Sequence, residues 1–212
     1  SRPLPEVVEE VKRLAEAGYK EIVVTGIHLG SYGKDWGGRP SLVDLLEAVV
    51  KVEKVMRIRL SSVEPMDVTD ELIKLMATCD KFAHHLHLPL QSGSDRILKL
   101  MRRPYTTKRF ERIVDMARSA MPDIGITTDI IVGFPGETEE DFKRSYEFVR
   151  RIGFSRLHVF RFSPRRGTLA ERMPDRVPES VIKRRSEEMI ELGKHLMREF
   201  ARSLIGTVQQ VL

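Results

Sequence analysis

A carboxylate next to a glycine turn is the first place where this chain of 212 residues could bind a ligand. Asp129 lies inside an apolar run that ends at the turn formed by residues 133–136 (GFPG). A carboxylate inside a buried strand is costly unless it has partners, so Asp129 is a candidate binding residue. In parallel α/β folds, ligands bind where strands end at such turns. The segment therefore predicts a ligand site at the end of this strand.

A glycine-rich loop over residues 26–38 follows another short apolar run. It is not a P-loop, because no glycine stands five residues before Gly33 and Asp35 replaces the Ser or Thr that would hold magnesium. Two interpretations stay open. The loop is either a flexible connection or a cradle whose exposed backbone groups hold a zwitterionic ligand.

Residues 84–91 (HHLHLPLQ) alternate between polar and apolar types. The alternation places His85, His87 and Gln91 on one face of a strand and the leucines on the other. In a barrel the leucines would face the helices, which puts the histidines and Gln91 inside. A His-x-His pair can bind metal, but no third ligand is evident, so hydrogen-bonded interior histidines are the preferred interpretation. No spacing supports Ser-His-Asp catalysis.

Cys79 is the only cysteine, which excludes a disulfide or a thiolate metal site made by this chain alone. It falls on the apolar face of a predicted helix. A small buried hydrophobe is therefore preferred to a catalytic thiol.

Basic residues cluster after the predicted fourth and fifth strands. They are Arg96, Lys99, Arg102, Arg103, Lys108, Arg109 and Arg112 in the first group, and Arg161, Arg165 and Arg166 in the second. The chain as a whole carries 36 Lys and Arg against 31 Asp and Glu, a net charge of +5. These basic residues form either a solvated surface or a binding site for RNA or a polyanionic cofactor.

Strand and helix signals alternate along the chain. Strands are predicted at residues 21–25, 56–62, 84–88, 125–132 and 156–162, the fourth of them buried on both faces. Helices are predicted at residues 5–17, 69–78, 94–102, 107–121 and 179–203, with two more opened by Ser41 and Thr138. This order predicts parallel βα units in a partial (β/α) barrel whose functional loops share one rim.

The first predicted element is a helix, whereas every later helix follows a strand. A first strand is therefore expected to be missing, which leaves the strand at residues 21–25 as a bare sheet edge. We interpret the chain as a fragment of a longer protein. No apolar run reaches membrane-spanning length and no signal peptide is present, so a cytoplasmic protein without a membrane partner is predicted.

Six blocks in order resemble the radical S-adenosylmethionine (SAM) methylthiotransferases. They are residues 25–33 (TGIHLGSYG), 59–65 (RLSSVEP), 85–95 (HLHLPLQSGSD), 98–106 (LKLMRRPYT), 128–137 (TDIIVGFPGE) and 158–168 (HVFRFSPRRGT). The resemblance implies a partial (β/α)6 radical-SAM TIM-like barrel over residues 1–203, without the first strand and the Cys-x3-Cys-x2-Cys cluster loop. Residues 204–212 resemble the start of a TRAM-like RNA-binding domain.

The resemblance also implies an activity. The first two blocks are most similar to the branch that attaches a methylthio group to C2 of N6-threonylcarbamoyladenosine at position 37 of tRNA. The isopentenyladenosine-tRNA branch, the ribosomal-protein branch and a non-catalytic RNA-binding barrel are the alternatives. The implied cofactors are S-adenosylmethionine and two [4Fe-4S] clusters. The cluster ligands are absent from this chain, which is therefore predicted to be inactive alone. Neither the reductant nor the sulfur donor is identified.

Residue roles follow by match to these blocks. The residues implied to contact S-adenosylmethionine are Gly26, His28, Ser62, Glu64, Gln91, Ser92, Asp129, Gly133, Phe134, Pro135, Gly136, Val159 and Phe160. Arg103, Arg161 and Arg165 are implied to hold a carboxylate or the tRNA backbone, because planar guanidinium groups suit either. No catalytic residue is assigned and no metal ligand is expected in this chain. Alternation leaves open whether Ser61 or Ser62 faces the pocket.

Overall fold

The computed structural model of the protein describes residues 1–209. The helices in that range are α1 (Leu4–Glu16), α2 (Leu42–Val50), α3 (Asp70–Thr78), α4 (Asp95–Leu100), α5 (Thr107–Ala120), α6 (Glu139–Ile152) and α7 (Glu179–Ser203). The strands are β1 (Glu21–Val24), β2 (Arg57–Leu60), β3 (His85–His87), β4 (Gly125–Val132) and β5 (Arg156–Arg161). The predicted order of elements is confirmed.

Local signals explain where the helices begin and end. Ser41 and Thr138 each cap a helix through a complete capping box, with Asp44 and Asp141 as the third helical residues. Gly153 ends α6 in the left-handed conformation that glycine adopts without strain. These elements agree with prediction because their determinants lie within a few residues of each other.

The chain folds as two compact units. The first comprises Ser1–Leu88 with Asp115–Ile124, and the second comprises Pro89–Val114 with the chain from Gly125 onward. In the first unit β1 and β2 pair in parallel, with Glu21 beside Arg57 and Val24 beside Leu60. Helices α1 and α2 pack together, as do α2 and α3. The core of this unit is formed by Leu45, Leu46, Val49, Ile58, Leu60, Leu72 and Met76, all fully or almost fully buried.

In the second unit β4 and β5 pair in parallel, with Asp129 beside His158 and Ile131 beside Phe160. Helix α7 packs against both strands, and Gly193 lets it approach closely, because a Cβ there would lie 3.2 Å from the Leu157 Cβ. Three aromatic rings form the centre of this core, with Phe110 edge-on to Phe148 and Phe154 at centroid distances of 6.3 and 5.9 Å. The parallel α/β arrangement expected from the sequence is confirmed within each unit.

Two details differ from prediction. Strand β4 is fully buried on one face only, since Thr127, Asp129 and Ile131 are partly exposed. Cys79 follows the last residue of α3 and is half-buried rather than packed in the core. In both cases the apolar pattern located the segment correctly and overestimated its burial.

Strand β1 has β2 as its only paired neighbour within residues 1–209. None of the helices in the described part of the chain combines the length and the apolar character needed to cross a membrane. Residues 204–209 follow α7 without further helix or strand. The last three residues of the predicted TRAM-like segment, 210–212, lie outside the described residues.

Candidate functional site

The glycine-rich loop of the first unit borders a cavity of about 760 Å³. Gly26 and His28 lie on its wall, together with apolar side chains of α1 and β1. The loop is not a featureless connection, because it contains two short 3-10 turns, Leu29–Ser31 and Lys34–Trp36. The structure therefore brings two of the predicted cofactor residues together at one open space.

Asp67 holds this loop in place. Its carboxylate lies 2.6 Å from His28 Nε2 and 3.0 Å from Lys34 Nζ, while His28 Nδ1 lies 2.8 Å from the Ser31 hydroxyl. Gly30 permits this contact, because a Cβ at that position would lie 2.1 Å from the Asp67 Cβ. Pairing with Asp67 thus orients the His28 ring, which the sequence pattern did not anticipate.

The segment after β2 separates the two serines that alternation left undecided. Ser62 is exposed and forms a parallel bridge with His87. Ser61 carries a buried hydroxyl oxygen that has no hydrogen-bond partner within residues 1–209. Glu64 is half-buried, and its carbonyl oxygen accepts a hydrogen bond from the Asp67 N–H. Ser62 is therefore the serine that a ligand can reach.

Charged side chains cover the partly exposed face of β1 and β2, opposite the buried Ile58 and Leu60. Arg59 donates to both oxygens of Glu21, at 2.8 and 3.3 Å, and Arg57 Nη1 lies 3.7 Å from the same carboxylate. His85 is half-buried nearby. Burial, with help from Arg59 and His87, lowers the pKa of His85 to about 4, so its ring is neutral at pH 7. The sequence pattern did not predict this cluster, although charged residues at alternate strand positions were a visible signal.

Gln91 and Ser92 begin the polar part of the second unit. Gln91 is buried and adopts a positive φ of 66°, which is uncommon for a residue with a side chain. Its N–H donates to the Asp129 carbonyl at 2.8 Å, and its carbonyl accepts from Ile131 N–H at 2.9 Å. The Ser92 side chain is buried. Its hydroxyl lies 3.1 Å from the Ser145 hydroxyl and accepts a hydrogen bond from the Ser94 N–H at 3.2 Å. Gln91 is thus held beside β4, while Ser92 supports the turn.

The partly exposed face of β4 and β5 gathers a second group of predicted residues. The register places Asp129 beside His158, with 3.8 Å between Oδ1 and Nδ1, and Phe160 beside Ile131. Phe160 is 51% exposed, so an aromatic surface is open to a ligand. Val159 alternates to the opposite face. His158 is the residue missed here, and its register partner Asp129 was the only available signal.

The GFPG turn after β4 is closed by its own protein partners. Gly133 N–H donates to Glu137 Oε1 at 3.1 Å, and Gly136 N–H donates to the Asp175 carbonyl at 2.9 Å. Gly133 has a φ of 79°, and a Cβ there would lie 2.4 Å from Ile182 Cγ1. Phe134 is buried edge-on to Phe162, at a centroid distance of 5.3 Å. Two glycine N–H groups of the turn are therefore already used and are not available to a ligand.

A buried ion pair fixes the end of this turn. Arg185 of α7 donates to Glu137 Oε1 at 2.6 Å and to the Glu137 carbonyl at 3.1 Å. The two side chains are only 4% and 2% exposed. Burial raises the pKa of Glu137, while the hydrogen bonds from Gly133 and Arg185 oppose that rise. Arg185 also lies over the Phe142 ring, 5.5 Å from its centroid.

Arg96 secures the other side of the turn. It pairs with Asp141 and donates to the Gly136 carbonyl at 2.5 Å. Burial disfavours the Asp141 carboxylate, but hydrogen bonds from Arg96, Thr138 and Ser94 outweigh it and hold the pKa of Asp141 well below its ordinary value. Arg96, assigned by the sequence to the basic cluster, therefore has a structural partner.

The three arginines expected to bind substrate occupy different places. Arg103 lines a small cavity of about 230 Å³ together with Phe134. Arg161 Nη1 lies 3.6 Å from Glu179 Oε1, and Arg165 is exposed, with its carbonyl accepting from Thr168. The structure brings Arg103 to the glycine turn and leaves the other two at the end of β5.

Within residues 1–209, no three His, Cys, Asp or Glu side chains are placed to share a metal ion. Iron–sulfur clusters are held by cysteine thiolates, and Cys79 is the only cysteine of the chain. The residues present therefore do not fit a [4Fe-4S] cluster.

Comparisons with curated proteins extend over the entire chain. The threonylcarbamoyladenosine tRNA methylthiotransferase MtaB of Thermotoga maritima is 48% identical over 212 residues, which are 100% of this chain and 48% of that protein. The tRNA-2-methylthio-N(6)-dimethylallyladenosine synthase of a Thermoanaerobacter species is 45% identical over 212 residues, which are 100% of this chain and 45% of that protein. The chain thus spans about half the length of the curated relatives it matches.

Solved structures show the same fold at low identity. Coproporphyrinogen III oxidase (HemN) from Escherichia coli, a radical SAM enzyme, superposes with a TM-score of 0.64 and 16% identity, covering 91% of this chain and 46% of that one. The radical S-adenosylmethionine methyltransferase TsrM from Kitasatospora setae gives a TM-score of 0.61 and 18% identity, covering 76% of this chain and 31% of that one. Residues 1–149 match the radical SAM superfamily. The fold class expected from the sequence is confirmed, and the chain belongs to the radical SAM superfamily.

Proposed function

We propose that this chain is part of the catalytic core of an enzyme that methylthiolates C2 of N6-threonylcarbamoyladenosine at position 37 of tRNA. The observation that carries the proposal is the 48% identity to a threonylcarbamoyladenosine tRNA methylthiotransferase over all 212 residues. A relative named for dimethylallyladenosine is 45% identical over the same length. That branch is therefore the second candidate.

S-adenosylmethionine is the proposed cofactor, and when bound it supplies the radical that activates the C–H bond and the transferred methyl group. In the first unit, Gly26 and its loop would face the methionine end, with Ser62 and Glu64 among the polar contacts. The fit is supported by the open cavity beside Gly26 and by the exposure of Ser62. His28, held by Asp67, adds an oriented ring to the same wall.

In the second unit, Asp129, Phe160 and the backbone at Val159 would flank the adenosine. Phe160 offers an exposed ring on which a purine can stack. Gly133, Phe134, Pro135 and Gly136 would contribute shape, since two of their N–H groups are already bonded within the protein. Gln91 is held beside Asp129, where it would contact the cofactor directly. Ser92 would act indirectly, because its hydroxyl is bonded to Ser145 within the protein.

The thiolates of the two proposed [4Fe-4S] clusters would come from the half of the enzyme that this chain does not represent, because Cys79 cannot hold a cluster alone. In such an enzyme the residues of this chain bind, orient and shield the cofactor and the base. We propose that the barrel ends at Ser203 and that a TRAM-like segment begins at residue 204.

The proposed substrate is tRNA, in a cytoplasmic enzyme. Arg103, Arg161 and Arg165 would contact its backbone, supported by the net charge of +5 and by the exposure of Arg165. Guanidinium groups suit this role because they bond phosphate oxygens in pairs.

The test uses the full-length protein that contains this chain, reconstituted anaerobically and incubated with tRNA from a strain lacking the modification. Mass spectrometry of the nucleosides should show 2-methylthio-N6-threonylcarbamoyladenosine. Formation of the 2-methylthio-dimethylallyl nucleoside instead would establish the second candidate. Methylthiolation of a ribosomal protein alone would overturn both.

A further inference from the structure

The small cavity beside the glycine turn of the second unit is an apolar pocket that opens to solvent. Its volume is about 230 Å³, and its walls come from the end of α4 and from Ile131, Phe134, Leu169, Ala170 and Met173. Leu100 and Leu169 are 37% and 58% exposed, so apolar surface reaches the mouth of the pocket. Pockets for drug-sized ligands measure roughly 300–1,000 Å³. This smaller pocket therefore suits a group the size of one nucleobase.

Arg102, at the rim of this pocket, has an unusual backbone conformation. It follows α4 with a φ of 57° and is exposed. Its N–H donates to the Lys99 carbonyl at 3.0 Å, and the Arg103 N–H donates to the Leu98 carbonyl at 2.9 Å, which is the Schellman pattern of a helix end. Glycine is the usual residue at the left-handed position of this pattern, because a side chain there is strained. An arginine at this position indicates that its side chain has a use other than ending the helix.

The charge at the pocket favours an anion. Arg102 and Arg103 both line it, and none of the described residues that line it is acidic. Arg172 is exposed in the adjoining 3-10 turn, Leu169–Arg172. A guanidinium group bonds phosphate oxygens in pairs and also stacks on flat rings. A flat ring that carries a phosphate therefore complements both the apolar walls and the basic rim.

We propose that this pocket receives one unpaired base of the RNA substrate, a neighbour of the base that is modified, and that Arg102 binds the phosphate of the same nucleotide. The inference rests on the proposed function, because it adds a contact for the same tRNA. Proteins commonly recognise single-stranded RNA by holding splayed-out bases against apolar, aromatic and guanidinium surfaces. The base at position 37 carries a bulky threonylcarbamoyl group, so a pocket of about 230 Å³ suits an unmodified neighbour better.

The pocket is separate from the surface proposed for the adenosine of the cofactor. Asp129, Val159 and Phe160 do not line it, and Phe134 is the residue that the two sites share. A base held here would fix the position of the RNA loop while the base at position 37 reaches the cofactor. The pocket thus positions the substrate and takes no part in the chemical step.

The first test measures binding of anticodon stem-loop RNAs to the full-length protein that contains this chain. Each RNA carries N6-threonylcarbamoyladenosine at position 37, and in each one a different neighbouring loop nucleotide is replaced by an abasic residue. We expect one replacement to weaken binding about fivefold or more, as the loss of one stacked base should. Ala170→Leu, which fills the pocket, should weaken the intact RNA to the same level and leave that abasic RNA unchanged.

The second test uses the backbone conformation of Arg102. Glycine adopts a positive φ without strain, so Arg102→Gly should not lower the midpoint of urea denaturation. It should weaken RNA binding about tenfold and reduce the slope of log Kd against log salt by about 0.7–0.9, as the loss of one phosphate contact should. Arg144→Gln removes the same charge from the exposed surface of α6 and should bind RNA as the wild type does.

Three outcomes would overturn the inference and leave the proposed function intact. They are an abasic penalty that is equally large in Ala170→Leu, RNA binding that is unchanged in Arg102→Gly, and an Ala170→Leu protein that loses affinity for S-adenosylmethionine instead of RNA. If Ala170→Leu does not fold, the wild-type abasic series and Arg102→Gly still decide. If the intact RNA does not bind the wild-type protein, the proposed tRNA substrate fails, and the inference fails with it.

Discussion

Two glycine-containing segments, one in each unit, are held in opposite ways. In the first unit, the loop after β1 is held through Asp67 by His28 and Lys34, whose side chains are 50% and 60% exposed. In the second unit, the turn after β4 is held by Glu137 and Arg185, which are almost completely buried. Solvent-exposed pairs contribute little, whereas removal of one member of a buried pair is costly. We infer that the loop can change conformation when a ligand binds, while the turn is preorganised.

The largest effect is expected from breaking the buried pair. Glu137→Gln keeps the size of the side chain but removes the buried carboxylate, which leaves the exposed Glu139 as the remaining ion-pair partner of Arg185, so the free energy of unfolding should fall by about 3 kcal/mol. Urea denaturation measures this change. Glu139→Gln is the matched control, because Glu139 bonds the same arginine at 3.0 Å from an exposed position. An equal effect of the two substitutions would show that burial is not what makes the turn rigid.

A medium effect is expected from acid, through His85 in the first unit. Unfolded His85 takes up a proton near its ordinary pKa of 6.5, but in the folded protein it does so only near 4. Protonation in this window therefore favours the unfolded chain, and stability should fall by about 1–2 kcal/mol between pH 6.5 and 4, the partial exposure limiting the loss.

Denaturation curves at pH 7 and pH 4.5 measure this loss, which His85→Gln should reduce. His195→Gln, on the exposed face of α7, should retain the wild-type pH dependence. A pH dependence unaltered by His85→Gln would assign the acid sensitivity to other groups.

The smallest effect is expected at the loop. Asp67→Asn removes the negative charge that His28 and Lys34 share, at exposed partners, and should cost about 0.5–1 kcal/mol. Hydrogen exchange should nevertheless speed up at the loop amides, because local order depends on this contact. Asp80→Asn, an exposed change outside the loop, serves as the control. A loss as large as that of Glu137→Gln would abolish the distinction between loop and turn.

Both segments were visible in the sequence, but their partners were not. The GFPG turn and the glycine loop depend on neighbouring residues and were located correctly, whereas the alternating residues 84–91 form a strand only over His85–His87, and Gln91 lies beyond it with a positive φ. Arg185 lies 48 residues from Glu137, and Asp67 lies 39 residues from His28. No local periodicity relates residues so far apart.

The structure leaves some of the predicted contact residues accessible and closes off others. Asp129, Phe160 and Ser62 are at least partly exposed to solvent, as contact residues should be. Ser92 is buried, and its hydroxyl is bonded to that of Ser145. His158 and Glu21 were missed, because their role follows from strand register rather than from residue type.

The sequence alone determined the order of helices and strands, the parallel α/β class and the family, because caps, periodicity and contiguous blocks are all local. Only the tertiary structure decided which charges are paired and which polar groups remain open to a ligand. Arg59 illustrates the reason. Its pairing with Glu21 depends on the register of two strands that are 38 residues apart, and it is packing between strands that fixes such a distance.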